Sequence, residues 1–132
     1  MTDTPLFHLL DAAPRAVGPF SHAVEAAGWV QLTGQMPTGP DDDLAALPDG
    51  VEAQTSRVME NLIIVLNELG LGLDRVVSCR VYLTDFHRDY EPMNAVYGSY
   101  FEAGRLPART CVGVTALALG ALVEIDMLAR RV

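Results

Sequence analysis

Only two stretches of this 132-residue chain carry a helical apolar stripe while five read as strands, so helices can cover one face of any sheet they build, and no more. The first helix is predicted to start at Asp49, an N-cap with Glu52 three residues on as a capping box. Its apolar face follows at Val58, Leu62, Val65, Leu66 and Leu69, and Gly70 ends it. Gly70 and Gly72 therefore need no phosphate-binding explanation, and the full dinucleotide fingerprint is absent. The second helix carries Met93, Val96, Tyr97, Tyr100 and Phe101, with Pro92 near its start and Gly104 just beyond its end. That aromatic stripe reads as core packing. Strands are expected at 21–26 and 30–34, paired across a turn at Ala27-Gly28, and at 76–84, 106–114 and 122–128. The order is ββαβαββ: an α+β fold, a mixed sheet with two helices packed on one face, in a single domain over residues 1–132.

The strand at 106–114, LPARTCVGV, is the most oddly furnished. Side chains alternate along a strand, so Thr110, Val112 and Val114 share one face while Arg109, Cys111 and Gly113 share the other. The same alternation puts Arg80 and Tyr82 opposite Cys79, Val81 and Leu83. An uncovered sheet face bearing Arg80, Tyr82, Arg109, Cys111 and Glu124 is too mixed for core, and fits a subunit interface or a ligand cleft. Arg109 reads either as half of a structural ion pair or as a planar guanidinium that grips a small carboxylate in bidentate fashion. Glu124, between Val123 and Ile125, is either a solvated edge carboxylate or a half-buried one near Arg109 across a closing hairpin. The second option needs a register with Glu124 beside Cys111 or Gly113. Gly113 leaves room for a ligand. No histidine is placed to activate Cys111 as a nucleophile, and it reads as a wall of the pocket.

Composition excludes several classes. A formal net charge of −8 opposes both non-specific nucleic-acid binding and docking on an anionic membrane. No apolar run approaches the roughly 20 residues that span a bilayer, and the opening MTDTPLFHLLDAAPRA lacks the basic region of a signal peptide. Cys79 and Cys111 lie in separate strands and suit free thiols in a reducing cytoplasm. His8, His22 and His87 are scattered, so no metal site is expected, and the acidic run at 41–43 lacks the spacing of a calcium loop.

Seven segments stand in the order expected of one family: Ala13-Pro14, Gly18-Pro19-Phe20-Ser21, Thr33-Gly34-Gln35-Met36-Pro37, Gln54 with Asn61-Leu62, Asn94-Ala95-Val96-Tyr97, Pro107-Ala108-Arg109-Thr110-Cys111-Val112, and Val123-Glu124-Ile125. In them the chain resembles the RidA (YjgF/YER057c/UK114) family of reactive intermediate deaminases over nearly its whole length. The resemblance implies a chorismate-mutase-like α+β fold, assembled as a homotrimer with active sites in the clefts between subunits. It also implies hydrolysis of small 2-imino or 2-enamino acids to 2-keto acids and ammonia, with no metal or organic cofactor. Carried over, Arg109 holds the substrate carboxylate and Glu124 stands near the attacking water, while Cys111, Thr33, Phe20 and Asn94 line the cleft. Phe20 stands where the archetype has tyrosine and Thr33 where it has serine; Thr33 keeps the hydroxyl and Phe20 loses it. This departure points to a divergent subfamily acting on another imine or on a catabolic 2-amino-unsaturated acid. A non-catalytic module that binds a small carboxylate or a partner in the same cleft is the alternative. An RNA-cleaving role fits poorly with the acidic charge.

Overall fold

The computed structural model describes residues 4–42 and 45–132; residues 1–3 of the opening segment and Asp43 of the acidic run lie outside the described residues. Its core forms where the two helical stripes meet the sheet. Helix α1 (Gly50–Glu68) buries Val58, Met59, Leu62, Val65 and Leu66 completely. Gly70, at φ +74°, then closes it: the Gly70 and Leu71 amides donate to the Asn67 and Leu66 carbonyls at 3.0 and 2.8 Å, the paired bonds of a Schellman cap. The N-terminus differs from expectation. Asp49 occupies the N-cap, but its carboxylate caps nothing.

Helix α2 (Phe86–Ser99) begins well before Pro92, capped by the Asp85 carboxylate, which accepts from the Arg88 amide at 3.4 Å. Pro92 therefore sits inside the helix, where it forgoes one backbone hydrogen bond. Met93 and Tyr97 are buried on its inner face, and Tyr100 and Phe101 pack on the core just past its end.

The sheet has six strands in the order β1-β2-β3-β6-β4-β5. They are β1 (Leu6–His8), β2 (Ala23–Ala26), β3 (Trp29–Gln35), β4 (Val76–Leu83), β5 (Ala108–Gly113) and β6 (Val123–Arg130). The α+β class and the mixed sheet are as the sequence led us to expect, with one strand added at the N-terminus. At three residues, β1 is too short to show alternation. The hairpin at Ala27-Gly28 is present, with φ 51° and 82°, the double positive φ that a two-residue turn matching strand twist demands.

The end of the chain differs. β5 and β6 form no hairpin; β4 lies between them, parallel to β5 and antiparallel to β6. Strand composition explains this. β6 buries Val123, Ile125, Met127 and Ala129 fully and takes a central position between β3 and β4, whereas β5, with an arginine and a glycine on its inner face, lies at the edge. Glu124 is thus beside Tyr82, not Cys111 or Gly113. Both helices pack on the same face, α1 over β3 and β6, α2 over β4. The opposite face carries Trp29, Arg80, Tyr82, Glu124, Asp126 and Val112, with no layer formed by the described residues above it.

Candidate active site

The register corrects the assignment of faces. Cys79 pairs with Arg109, Val81 with Cys111 and Leu83 with Gly113, and Cys79, Val81 and Leu83 are buried beneath the helices. Arg109, Cys111 and Gly113 therefore belong to the helix-covered face, at its rim, and Glu124 and Tyr82 to the open one. The alternation within β5 is as expected; its orientation is reversed, because the partner is β4 and the crossover through α2 lays that helix over the strand.

One half of the candidate site is a helix stripe above a strand row. Phe86, Tyr90, Asn94 and Tyr97 recur at intervals of four, four and three along α2, on one face of the helix. The Arg109 guanidinium carbon lies 5.7 Å from the Tyr90 ring centroid and 5.0 Å from that of Tyr97, and Nη2 donates to the Tyr90 hydroxyl at 3.3 Å. Among the described residues, no carboxylate pairs with Arg109. It is a half-buried cation held by aromatic faces, with charge to offer a ligand. Asn94, one turn from both rings, has a buried Oδ1 that no group among the described residues satisfies. Gly113 leaves no free space: Phe86, stacked on Tyr90 at 4.8 Å between centroids, stands 3.3 Å from where a Cβ would be. Cys111 is half-buried and its thiol is pushed up by burial, against the pull of Arg109, a setting that does not favour the thiolate.

The other half lies on the open face. β3 is bulged between Leu32 and Gln35, so Thr33 and Gly34 together span the place of one residue of β6. The Thr33 amide donates to the His22 carbonyl at 2.9 Å. The Glu124 carboxylate lies against Gly34 so closely that any side chain there would overlap it. Burial, then the neighbouring Asp126 charge, pushes the Glu124 carboxyl above the usual carboxylate range. Phe20, 43% exposed, lines a small cleft with Gly34, Val17 and Met36.

The six residues read from the sequence thus fall into two sets, Arg109, Cys111 and Asn94 on one face and Glu124, Thr33 and Phe20 on the other. Two residues outside those six touch Arg109 and Glu124 directly: Tyr90, and Gly34, legible in the sequence only as a strand end and part of a family segment. The four-residue spacing from Phe86 through Asn94 was the available signal for Tyr90; a helix start placed at Pro92 hides it. Among the described residues no three His, Cys, Asp or Glu side chains group to hold a metal ion, and no helix is long and apolar enough to cross a membrane.

Residues 10–131 match the model of a protein family described as Endoribonuclease L-PSP. Protein DfrA of Myxococcus xanthus is 46% identical over 121 residues, covering 90% of each chain. The 2-iminobutanoate/2-iminopropanoate deaminase of Mus musculus is 35% identical over 117 residues, 89% of this chain and 84% of its own length. The crystal structure of RidA from an Antarctic Psychrobacter superposes with a TM-score of 0.86 at 34% identity, covering 95% of this chain and 98% of that one.

Proposed function

The chain belongs to the Endoribonuclease L-PSP family, the RidA family that its sequence resembles, and from that premise we propose that it hydrolyses small 2-imino and 2-enamino acids to 2-keto acids and ammonia. The observation that carries the reading is Arg109, a guanidinium held between two tyrosine rings with no carboxylate among the described residues to neutralise it. A planar fork in such a setting binds a substrate carboxylate in two parallel hydrogen bonds. Water then adds to the imine carbon while Glu124 takes its proton. Passing that proton to the nitrogen gives a carbinolamine, whose collapse breaks the C–N bond, releases ammonia and leaves the keto acid. Each step uses positioning and one proton carrier, and the imine carbon is already electrophilic. We assign Cys111, Asn94, Thr33 and Phe20 to the walls and no cofactor to the reaction.

Arg109 and Glu124 cannot meet on one small substrate within a single protomer. They lie on opposite sheet faces, on strands separated by β4 and so about 10 Å apart across the sheet. We therefore place the site in a cleft between subunits of a homotrimer, the helix-side rim of β5 from one protomer facing the open face of the next. The free state of both thiols suits the cytoplasm. Ammonia and keto-acid release from freshly generated 2-iminopropanoate and 2-iminobutanoate tests the reading: turnover is expected, with loss of at least about 100-fold in kcat/KM for Arg109→Ala. No release by folded protein on either acid would overturn it. Phe20 favours a second reading, since it brings no hydroxyl to the cleft; keto-acid binding without turnover is its signature.

A further inference from the structure

Tyr82 is the direct cross-strand neighbour of Glu124, with Cβ atoms about 5 Å apart by the geometry of such pairs. Its hydroxyl does not serve Glu124. It leans along the sheet and donates to Asp126 Oδ2 at 3.4 Å, and Asp126, two residues on and on the same face, is almost fully buried. Arg80, the cross-strand neighbour of Asp126, fixes that carboxylate from above. Its Nε lies 3.0 and 3.1 Å from the two oxygens and its Nη2 2.9 Å from Oδ2. No donor among the described residues reaches the Glu124 carboxylate.

We propose that Asp126 is a positioning residue for Glu124: anchored by Arg80, it takes the Tyr82 hydroxyl for itself, so that the Glu124 carboxylate meets its ligand with no protein donor on it and a fixed negative charge alongside. A carboxylate in that setting holds a proton more firmly than one fed by donors, as a group that must take a proton from water and return it to nitrogen should. The upward push on Glu124 by burial and by Asp126 agrees with this. The groups around it are few. Within the protomer, β4 brings Tyr82 and Arg80, β6 brings Asp126, β3 brings Thr33 and Gly34, which do not titrate, and the N-terminal segment brings Arg15 to the cleft that Gly34 lines; in the proposed trimer the neighbouring subunit adds its Arg109, which is the same in parent and variant and leaves the comparison between them intact. The inference rests on the proton-transfer role proposed for Glu124, but its test does not require turnover.

The experiment is a 13C NMR titration of the Glu124 side-chain carboxyl in the assembled protein, assigned by its absence in Glu124→Gln. In Asp126→Asn, which keeps the shape and an acceptor for Tyr82, the Glu124 midpoint falls by at least about half a pH unit. The acid limb of the kcat profile on imino acids moves down by the same amount with KM unchanged, a displacement that mere loosening of the fold does not produce. Should Arg80, left without its partner, prevent folding, the paired Arg80→Met/Asp126→Leu variant removes both charges together and lowers the midpoint likewise. An unmoved or raised midpoint in a folded variant overturns the proposal. A fallen midpoint in protein inert towards imino acids keeps it and refutes the deaminase reading instead.

Discussion

At the scale of single residues, the proposed site would couple a cation held by aromatic faces with a carboxylate kept partly out of water. Both carry a cost that an ordinary surface residue avoids, and for Glu124 its pH dependence can be worked out. Its carboxyl titrates higher in the fold than in the unfolded chain, so the folded state binds the proton more tightly. The stability this represents is fully present below the ordinary glutamate range and is lost as pH rises through the raised value. Glutamine, uncharged throughout, escapes that loss. Glu124→Gln is therefore expected to melt higher than the parent at pH 8, with the gap closing below about pH 4, where both side chains are neutral. Melting curves across that range check it; a gap that stays constant with pH contradicts it.

At the scale of elements, two placements govern everything else: β6 in the middle of the sheet, and α2 starting at Phe86 behind its Asp85 cap. Much of this scale was legible. The α1 stripe, its closure at Gly70, the Ala27-Gly28 turn and the alternation in β4 and β5 all follow from local spacing and turn chemistry. The neighbours of β6 were not, because strand pairing is a long-range choice, settled by how much apolar surface each strand buries. That choice decided which side of the sheet Arg109 faces. Pro92 misled because the loss of one hydrogen bond is tolerated once Asp85 has capped the helix upstream. The bulge at Thr33-Gly34 leaves only a glycine as its trace in sequence, and its meaning depends on Glu124 arriving from β6. Gly34→Ala tests that reading directly. Its methyl displaces the Glu124 carboxylate, and kcat is expected to fall at least about tenfold with a modest change in melting temperature. Unaltered kcat would mean that the bulge does not position Glu124.

At the scale of the whole molecule, one sheet face is covered by helices and the other bears Trp29, Val112 and a buried aspartate, with no helix or strand among the described residues packed over it. In the homotrimer we propose, a second copy would supply the missing layer and bring an Arg109 to each Glu124. The central claim is that every site is shared, and mixing inactive subunits tests it most directly. Arg109→Ala and Glu124→Gln proteins, each inactive alone, are unfolded together in equal amounts and refolded. The mixed assemblies are verified by native mass spectrometry, and keto-acid release from 2-iminopropanoate is measured. With sites built from one residue of each neighbour, about a quarter of the sites regain both groups, and the mixture recovers about a quarter of wild-type activity. If mixed trimers form and remain as inactive as their parents, Arg109 and Glu124 do not act from neighbouring subunits, and the shared site is wrong.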